Sequence, residues 1–164
     1  MRKILIDFLN RLINNNPYRP VEAEAPKFVF TLQEFLTSQT ATRYGYLEQF
    51  QPPEHIVDNI ELLYDRIVLP IREYLRDGTV TISSGYRCPR VNKKAKGSNK
   101  SQHMTGQAVD LKYYRDGKMD NNEIIIALIA LELDYDQCID EFGLSWVHIS
   151  YDKNRNRKMT FKIT

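Results

Sequence analysis

The spacing of apolar residues changes at Asp77-Gly78 in this chain of 164 residues, and this change constrains the fold more than any other feature. Before it, apolar residues recur at helical spacing, and after it they alternate with polar residues in short runs. The first pattern is typical of amphipathic helices and the second of half-buried strands. Helices followed by strands predict an α+β fold, with a small antiparallel sheet and helices packed on one side.

Two helices are predicted before Gly78. Thr31-Leu32-Gln33-Glu34 is a capping box, so the first helix is expected to begin near residue 32. The second begins after Pro52-Pro53, and Pro70 is expected to kink it because proline lacks an amide donor and crowds the preceding turn. Its core face is predicted to consist of Ile56, Ile60, Leu63, Ile67 and Ile71.

The strands are predicted at 79–83, 108–114, 135–142 and 146–151, with an edge strand at 159–163. Gly143-Leu144-Ser145 separates the third from the fourth strand and indicates a β-hairpin. A second capping box, Asp120-Asn121-Asn122-Glu123, opens a helix through about residue 133. That helix is apolar on most faces, so we expect it to be buried.

Residues 1–27 are predicted to form an N-terminal arm that precedes a domain at 28–164. Residues 2–14 have the pattern of a short amphipathic helix, and 14–26 form a linker that contains three prolines. The arm either packs on the domain or serves as an interaction or membrane-surface segment. Asp7 and Arg11 interrupt its apolar run, so no signal peptide is recognised, and no apolar stretch is long enough to span a membrane.

Composition excludes several classes of protein. With 42% apolar and 27% charged residues, the chain is neither disordered nor a coiled coil, and a net charge of +2 does not indicate a nucleic-acid binder. Cys88 and Cys138 form no CxxC pair, which excludes a cysteine-only zinc site and leaves open one disulfide or two free thiols. Residues 87–100 carry six cations and no acid, as expected of a solvated loop or a docking surface for an anionic polymer.

Two of the three histidines lie near an aspartate in a pattern that suggests metal binding. His103 lies in a loop, Asp110 in an apolar strand, and His148 in another apolar strand, whereas His55 stands alone at the start of a helix. An unpaired carboxylate or imidazole is costly to bury, and a shared divalent cation removes both costs. Two histidines and one carboxylate are the ligands of a catalytic zinc site. Alternatively, Asp110 accepts backbone hydrogen bonds and His148 is a core histidine.

Three motifs carry a specific family resemblance. They are Ser84-Gly85-Tyr86-Arg87, then Ser-x-His-x-x-Gly-x-Ala-x-Asp over residues 101–110, then Trp146-Val147-His148. Together they resemble the signature of the zinc D-alanyl-D-alanine carboxypeptidase-like metallopeptidases, which include cell-wall carboxypeptidases, D-Ala-D-Ala dipeptidases and phage L-Ala-D-Glu endopeptidases. The resemblance covers residues 79–151, and it implies a hedgehog-like α+β fold.

The resemblance implies that His103, Asp110 and His148 bind Zn²⁺. It further implies that Arg87 meets a substrate carboxylate or the developing oxyanion, and that the Ser101 hydroxyl contacts substrate. The implied activity is zinc-dependent hydrolysis of the peptidoglycan stem peptide, by a carboxypeptidase or an endopeptidase. The alternative is a non-catalytic, metal-containing module that binds cell wall or protein, for example a phage structural component.

The general base is the point at which the sequence departs from the family. Many members have a glutamate three residues before the last histidine ligand, and here that position is Ser145. A hairpin with a two-residue loop would place Glu141 directly opposite His148, so Glu141 is predicted to be the base. A register change of one residue would place Asp140 there instead.

The resemblance, together with the absence of a recognised signal peptide and of a long apolar stretch, sets expectations for partners and location. The expected partner is the stem peptide of peptidoglycan, with no nucleic acid and no membrane span, and the protein is expected to be a monomer. It is expected to be made in the cytoplasm and to act in the cell wall or periplasm. An origin in a phage or mobile element would account for export without a signal peptide.

Overall fold

The computed structural model describes residues 28–164. The predicted helix at 2–14 and the linker at 14–26 lie outside the described residues. The division of the chain at residue 27 therefore stays a prediction, and the described residues are those of the predicted domain at 28–164.

Six α-helices belong to the described part of the chain, and none of its helices is long and apolar enough to cross a membrane. The helices that the sequence predicts begin where expected, while short helical segments between them were not predicted. The α-helices are α1 (Leu32–Leu36), α2 (Gln39–Tyr44), α3 (Glu54–Leu63), α4 (Leu69–Tyr74), α5 (Pro89–Lys94) and α6 (Asn122–Ala130). Two 3₁₀ helices, Leu47–Phe50 and Gln102–Thr105, and one π-helical turn, Tyr64–Val68, complete the set.

The irregularity predicted at Pro70 takes the form of a π-helical turn. This turn, Tyr64–Val68, joins α3 to α4, and Pro70 is the second residue of α4. Proline provides no amide hydrogen, so a wider turn directly before it avoids a broken hydrogen bond in the regular ladder. The predicted core face of this long helical segment is confirmed, because all five of its members are buried, namely Ile56, Ile60, Leu63, Ile67 and Ile71.

The predicted capping boxes locate the helix starts but do not form the expected bonds. Neither N-cap residue, Thr31 for α1 or Asn121 for α6, makes a side-chain capping hydrogen bond. Asn121 instead accepts a bond from the Tyr113 amide and donates one to the Leu144 carbonyl. It thereby connects the start of α6 to the strand that contains Tyr113 and to the turn that contains Leu144.

Only one face of α6 is buried, so the expectation that the whole helix is buried was wrong. The side chains of Ile126 and Ile129 are 41% and 67% exposed. The helix also ends at Ala130, three residues before the predicted end. A single layer of sheet covers one helix face only, and the buried residues are Ile124, Ala127 and Leu128.

The strands form a six-stranded mixed sheet, which confirms the α+β class. Its order is β1-β2-β5-β4-β6, and the short β3 pairs with β2. The strands are β1 (Thr79–Ser84), β2 (Ala108–Arg115), β3 (Lys118–Met119), β4 (Gln137–Glu141), β5 (Trp146–Ser150) and β6 (Met159–Ile163).

The edge strand β6 is parallel to β4, whereas the other strand pairs of the described sheet are antiparallel. The connection after β5 carries the chain back to the start of β4, where the amides of Lys158 and Met159 donate to the carbonyls of Tyr135 and Asp136. Because the chain re-enters the sheet beside the start of β4, the last strand runs in the same direction as β4.

The two faces of the sheet have different characters. Paired residues share a face, so the register places Asp110, His148, Ile139 and Glu141 on one side. The other face joins the helices in the hydrophobic core, and α4 and α6 contact β1 and β2 there. That core face includes Val80, Val109, Leu111, Tyr113, Cys138, Val147 and Ile149. The helices α4 and α6 and the polar cluster therefore lie on opposite sides of the sheet.

Both cysteines are free and buried, so the structure contains two thiols and not the disulfide that the sequence left open. Cys88 precedes α5 and Cys138 lies on β4. Burial raises the pKa of the Cys138 thiol to about 11, which keeps this thiol protonated at neutral pH.

Candidate metal centre

The three predicted metal ligands converge in space. His103 belongs to the 3₁₀ helix at 102–105, while Asp110 and His148 are direct partners on β2 and β5. His103 Nε2 lies 3.1 Å from His148 Nδ1 and 3.2 Å from Asp110 Oδ1, and the last two atoms are 2.9 Å apart. All three side chains are buried. Among residues 28–164, no other group of His, Cys, Asp or Glu side chains converges in this way.

The donor atoms fit a tetrahedral zinc site. Zinc-nitrogen and zinc-oxygen bonds of about 2.0–2.1 Å separate tetrahedral ligand atoms by ~3.3 Å, close to the distances found between these side chains. The second ring nitrogen of His103, Nδ1, lies 2.6 Å from the Gly85 carbonyl and donates to it. This bond assigns the proton to Nδ1 and leaves Nε2 free to bind a metal ion.

The electrostatics of the cluster favour the same protonation state. Burial lowers the pKa of His103, so its ring is neutral at physiological pH. Burial opposes ionisation of Asp110, but the imidazoles of His103 and His148 outweigh it and hold the pKa of this carboxyl below its usual range. A neutral imidazole and an ionised carboxylate are the forms that bind metal ions.

Arg87 is tied to the cluster through Asp110. Its Nη2 donates to Asp110 Oδ2 at 2.5 Å and its Nε donates to Ser84 Oγ at 2.9 Å. Because Oδ2 is held by Arg87, Oδ1 is the oxygen that faces the two histidines. The arginine therefore orients a candidate metal ligand, a contact that family resemblance alone did not assign to it.

The Ser84–Arg87 motif has a structural reason at each position. A Cβ atom on Gly85 would lie 2.6 Å from the Phe35 carbonyl oxygen, so only glycine fits beside α1. The Tyr86 amide donates to that same carbonyl, and the Arg87 amide donates to the His103 carbonyl. The segment therefore joins α1 to the loop that carries the first histidine.

Gln49, for which no role was predicted from the sequence, anchors this motif from the other side. Its side chain is fully buried, and Nε2 donates to the carbonyls of Leu36 and Tyr86. Its Oε1 accepts a bond from the Cys88 amide. These bonds fix the backbone on both sides of Arg87. The partners lie 13 to 39 residues away, so no local pattern marks this glutamine.

The loop that carries His103 packs directly on α3. Gly106 has a left-handed backbone with φ of +70°, and a Cβ atom there would lie 2.7 Å from the Ile56 carbonyl oxygen. The amide of Gln107 donates to Gln102, which closes the turn around His103. The glycine of the His-x-x-Gly spacing therefore permits the close approach that places the histidine over β2.

The predicted hairpin register was wrong by two residues. The turn contains four residues, 142–145, so Glu141 pairs with Trp146, and Ile139 is the partner of His148. Left-handed backbone at Phe142, Gly143 and Leu144 lengthens the turn. The alternative register with Asp140 opposite His148 is also excluded.

A shift of two residues preserves the face of each side chain, because side chains alternate along a strand. Glu141 thus lies on the same face as His148, diagonal to it, at a Cβ separation of about 7–8 Å expected for such neighbours. Asp140 lies on the opposite face, where its carboxylate accepts from the Leu144 amide and pairs with Lys162. Burial, together with the charge of Asp110, raises the pKa of Glu141.

An open cleft of about 990 Å³ surrounds the cluster. The candidate substrate residues Arg87 and Ser101 and the candidate base Glu141 all line it. Phe142 and Trp146, whose ring centroids are 5.3 Å apart, also line it. The remaining walls come from the loops at 95–101 and 152–157, which are rich in cations. A peptide has room to reach the three converging donor atoms.

Comparison with known proteins agrees with this geometry. The protein-family model described as Peptidase M15 matches residues 28–150, about three quarters of the chain. No curated protein matches the chain. The matched region contains the whole cluster together with Arg87, Ser101 and Glu141, and it confirms the resemblance carried by the three motifs. The chain belongs to the peptidase M15 family.

Proposed function

We propose that this protein is a zinc-dependent peptidase that hydrolyses a peptide bond of the peptidoglycan stem peptide. The observation that carries the proposal is the convergence of His103, Asp110 and His148 at the floor of an open cleft, in a chain of a peptidase family. We assign these three residues as the zinc ligands. A zinc ion held there would polarise the scissile carbonyl and lower the pKa of a water molecule to about 7.

Glu141 is the residue that we assign as general base. It would take a proton from the attacking water as the new C–O bond forms, and pass it to the amine nitrogen as the C–N bond breaks. Its position on the face of His148 supports this role, since a glutamate side chain is long enough to bridge a diagonal pair. The raised pKa of Glu141 also supports it, because a pKa nearer neutrality improves proton return.

Arg87 and Ser101 are the residues that we assign to substrate contact. Arg87 uses Nη2 and Nε for Asp110 and Ser84, and its side chain is 19% exposed at the cleft wall. The remaining guanidinium hydrogens would bind a substrate carboxylate or the negative charge that develops on the carbonyl oxygen. Ser101 would donate its hydroxyl to the peptide.

A second candidate function is a non-catalytic module that binds cell wall or protein. Ser145, at the position where many relatives have glutamate, donates its hydroxyl to the Phe142 carbonyl and so stabilises the turn between β4 and β5. The module would retain the metal centre but lack the base. Whichever function holds, we propose that a monomer acts in the cell wall or periplasm.

The two functions are separated by incubating the zinc-loaded protein with the stem pentapeptide L-Ala-γ-D-Glu-L-Lys-D-Ala-D-Ala and with disaccharide-linked stem peptides. Mass spectrometry identifies the products. Loss of terminal alanine identifies a carboxypeptidase, and cleavage inside the stem identifies an endopeptidase. The variant His148→Ala is the control and should release no product. No cleavage of any fragment by the wild type would favour the binding module.

A further inference from the structure

Three cations at the cleft have no ion-pair partner within residues 28–164. Arg87 and Arg157, which also line the cleft, are paired with Asp110 and Asp136. Unlike these two, the remaining cations form no salt bridge in the described part of the chain, and all of them are exposed; they are Lys96, Lys100 and Arg155. None of the three has a role in the proposed reaction.

The loop at 95–101 holds Lys96 and Lys100 on a defined backbone. The backbone carbonyl of buried Asn92 accepts a hydrogen bond from the Gly97 amide, and its side-chain Nδ2 donates to the Ser98 carbonyl at 2.9 Å. The hydroxyl of Ser98 accepts from the Lys100 amide at 3.1 Å. Both lysines therefore start from backbone that is fixed by hydrogen bonds, which reduces the entropy lost when they bind an anion.

A second ordered loop presents Arg155 to the same cleft. The Asp152 amide donates to Asn156 Oδ1, and the Arg155 amide donates to the Asp152 carbonyl. Two residues later, Arg157 forms a paired contact with buried Asp136, with both N···O distances at 2.6 Å. This ion pair attaches the loop to the start of β4, so Arg155 is held beside the cleft.

The carboxylates at the cleft do not neutralise these cations. None of them forms an ion pair with the three, and the cleft is lined by five cations against four carboxylates: Arg87, Lys96, Lys100, Arg155 and Arg157 against Asp110, Asp136, Glu141 and Asp152. A bound divalent cation would add further positive charge. A cleft of this kind favours an anion over a neutral group.

We propose that Lys96, Lys100 and Arg155 form an anion subsite that binds a second carboxylate of the peptide substrate, distinct from any carboxylate at the scissile bond. The inference rests on the proposed peptidase function and specifies its substrate class. The free α-carboxylate of the γ-linked D-glutamate in the stem peptide has the required chemistry. The subsite would therefore discriminate between a stem peptide with that carboxylate and one in which it is an amide.

Binding can be measured apart from cleavage because Trp146 lines the cleft and is the single tryptophan of the chain. Rapid mixing of the zinc-loaded protein with the pentapeptide L-Ala-γ-D-Glu-L-Lys-D-Ala-D-Ala records the fluorescence change before turnover. The comparison peptide carries an amide in place of the D-glutamate α-carboxylate. We expect the amidated peptide to bind roughly two- to fivefold more weakly, the ratio for one exposed ion pair.

Variants test whether the three cations cause that difference. Lys96→Ala, Lys100→Ala and Arg155→Ala should each reduce the preference for the carboxylate peptide. The matched controls Lys93→Ala and Lys153→Ala remove the same charge from exposed positions that do not line the cleft, and they should retain the preference.

Several outcomes would overturn the subsite. Equal affinity of the wild type for both peptides would do so, as would binding of neither peptide. An equal loss in the control variants would show general charge attraction and no subsite. The result is separable from the proposed function, because a carboxylate preference without cleavage retains the subsite and refutes the peptidase. Cleavage of both peptides with equal affinity for them would support the peptidase and refute the subsite.

Discussion

Replacement of Gln49 by alanine is expected to destabilise the fold strongly, although the residue touches neither substrate nor metal ligand. The variant leaves two carbonyls, those of Leu36 and Tyr86, and the Cys88 amide without partners at a site closed to solvent. Each unsatisfied buried group costs on the order of 1–2 kcal/mol. The free energy of unfolding should therefore fall by about 3–6 kcal/mol, a large part of the ~5–15 kcal/mol of a typical domain.

Urea unfolding followed by far-UV circular dichroism measures this loss. The control is Gln51→Ala, an exposed glutamine two residues away, whose removal should change the free energy of unfolding by less than about 0.5 kcal/mol. A loss below about 1 kcal/mol in Gln49→Ala would refute the reasoning, because it would mean that water or a rearranged backbone satisfies the three groups.

Three further predictions concern the site and its surroundings. Glu141→Gln should retain zinc and lower the rate by roughly 10²–10⁴, whereas Asp140→Asn, on the other face, should remain active; the reverse result would refute the assigned base. Arg87→Lys should impair turnover far more than folding, because lysine lacks the forked donors that hold Asp110 and Ser84 at the same time; unchanged kinetics with a lower melting temperature would make Arg87 purely structural. Arg157, chiefly through its hydrogen bonds, holds the pKa of Asp136 below its usual range. The contribution of this ion pair to the free energy of unfolding should therefore be complete above the unfolded pKa of Asp, about 4, and be lost as the pH falls below that value. Urea unfolding midpoints measured from pH 6 to pH 3 would show the loss. A midpoint that falls equally with pH in Asp136→Asn would contradict this assignment.

Local patterns were sufficient to predict the parts of the site that depend on them. Asp110 and His148 stand out because each is a polar residue inside an apolar strand, and strand alternation then places both on the face away from the core. The same alternation places Glu141 with His148 even though the register was wrong. The face on which a strand residue lies is thus easier to predict than its cross-strand partner, because a register error of two residues changes the partner but not the face.

Features that depend on long-range contacts could not be predicted. The four-residue turn requires left-handed backbone at Phe142 and Leu144, residue types that rarely adopt it. Gln49 and Asn121 act through partners that are distant in sequence, Cys88 and Leu144 among them. The exposure of Ile129 likewise depends on how much of α6 the sheet covers, which composition does not specify.

Metal content tests most directly whether His103, Asp110 and His148 hold one zinc ion. The protein is loaded with zinc, separated from free metal by gel filtration and measured by elemental analysis, alongside His148→Ala and the matched control His55→Ala, an exposed histidine outside the cluster. We expect one zinc per chain in the wild type and in His55→Ala, and almost none in His148→Ala, with the circular dichroism of all three unchanged. Stoichiometric zinc in His148→Ala, or none in the wild type, would contradict the assignment.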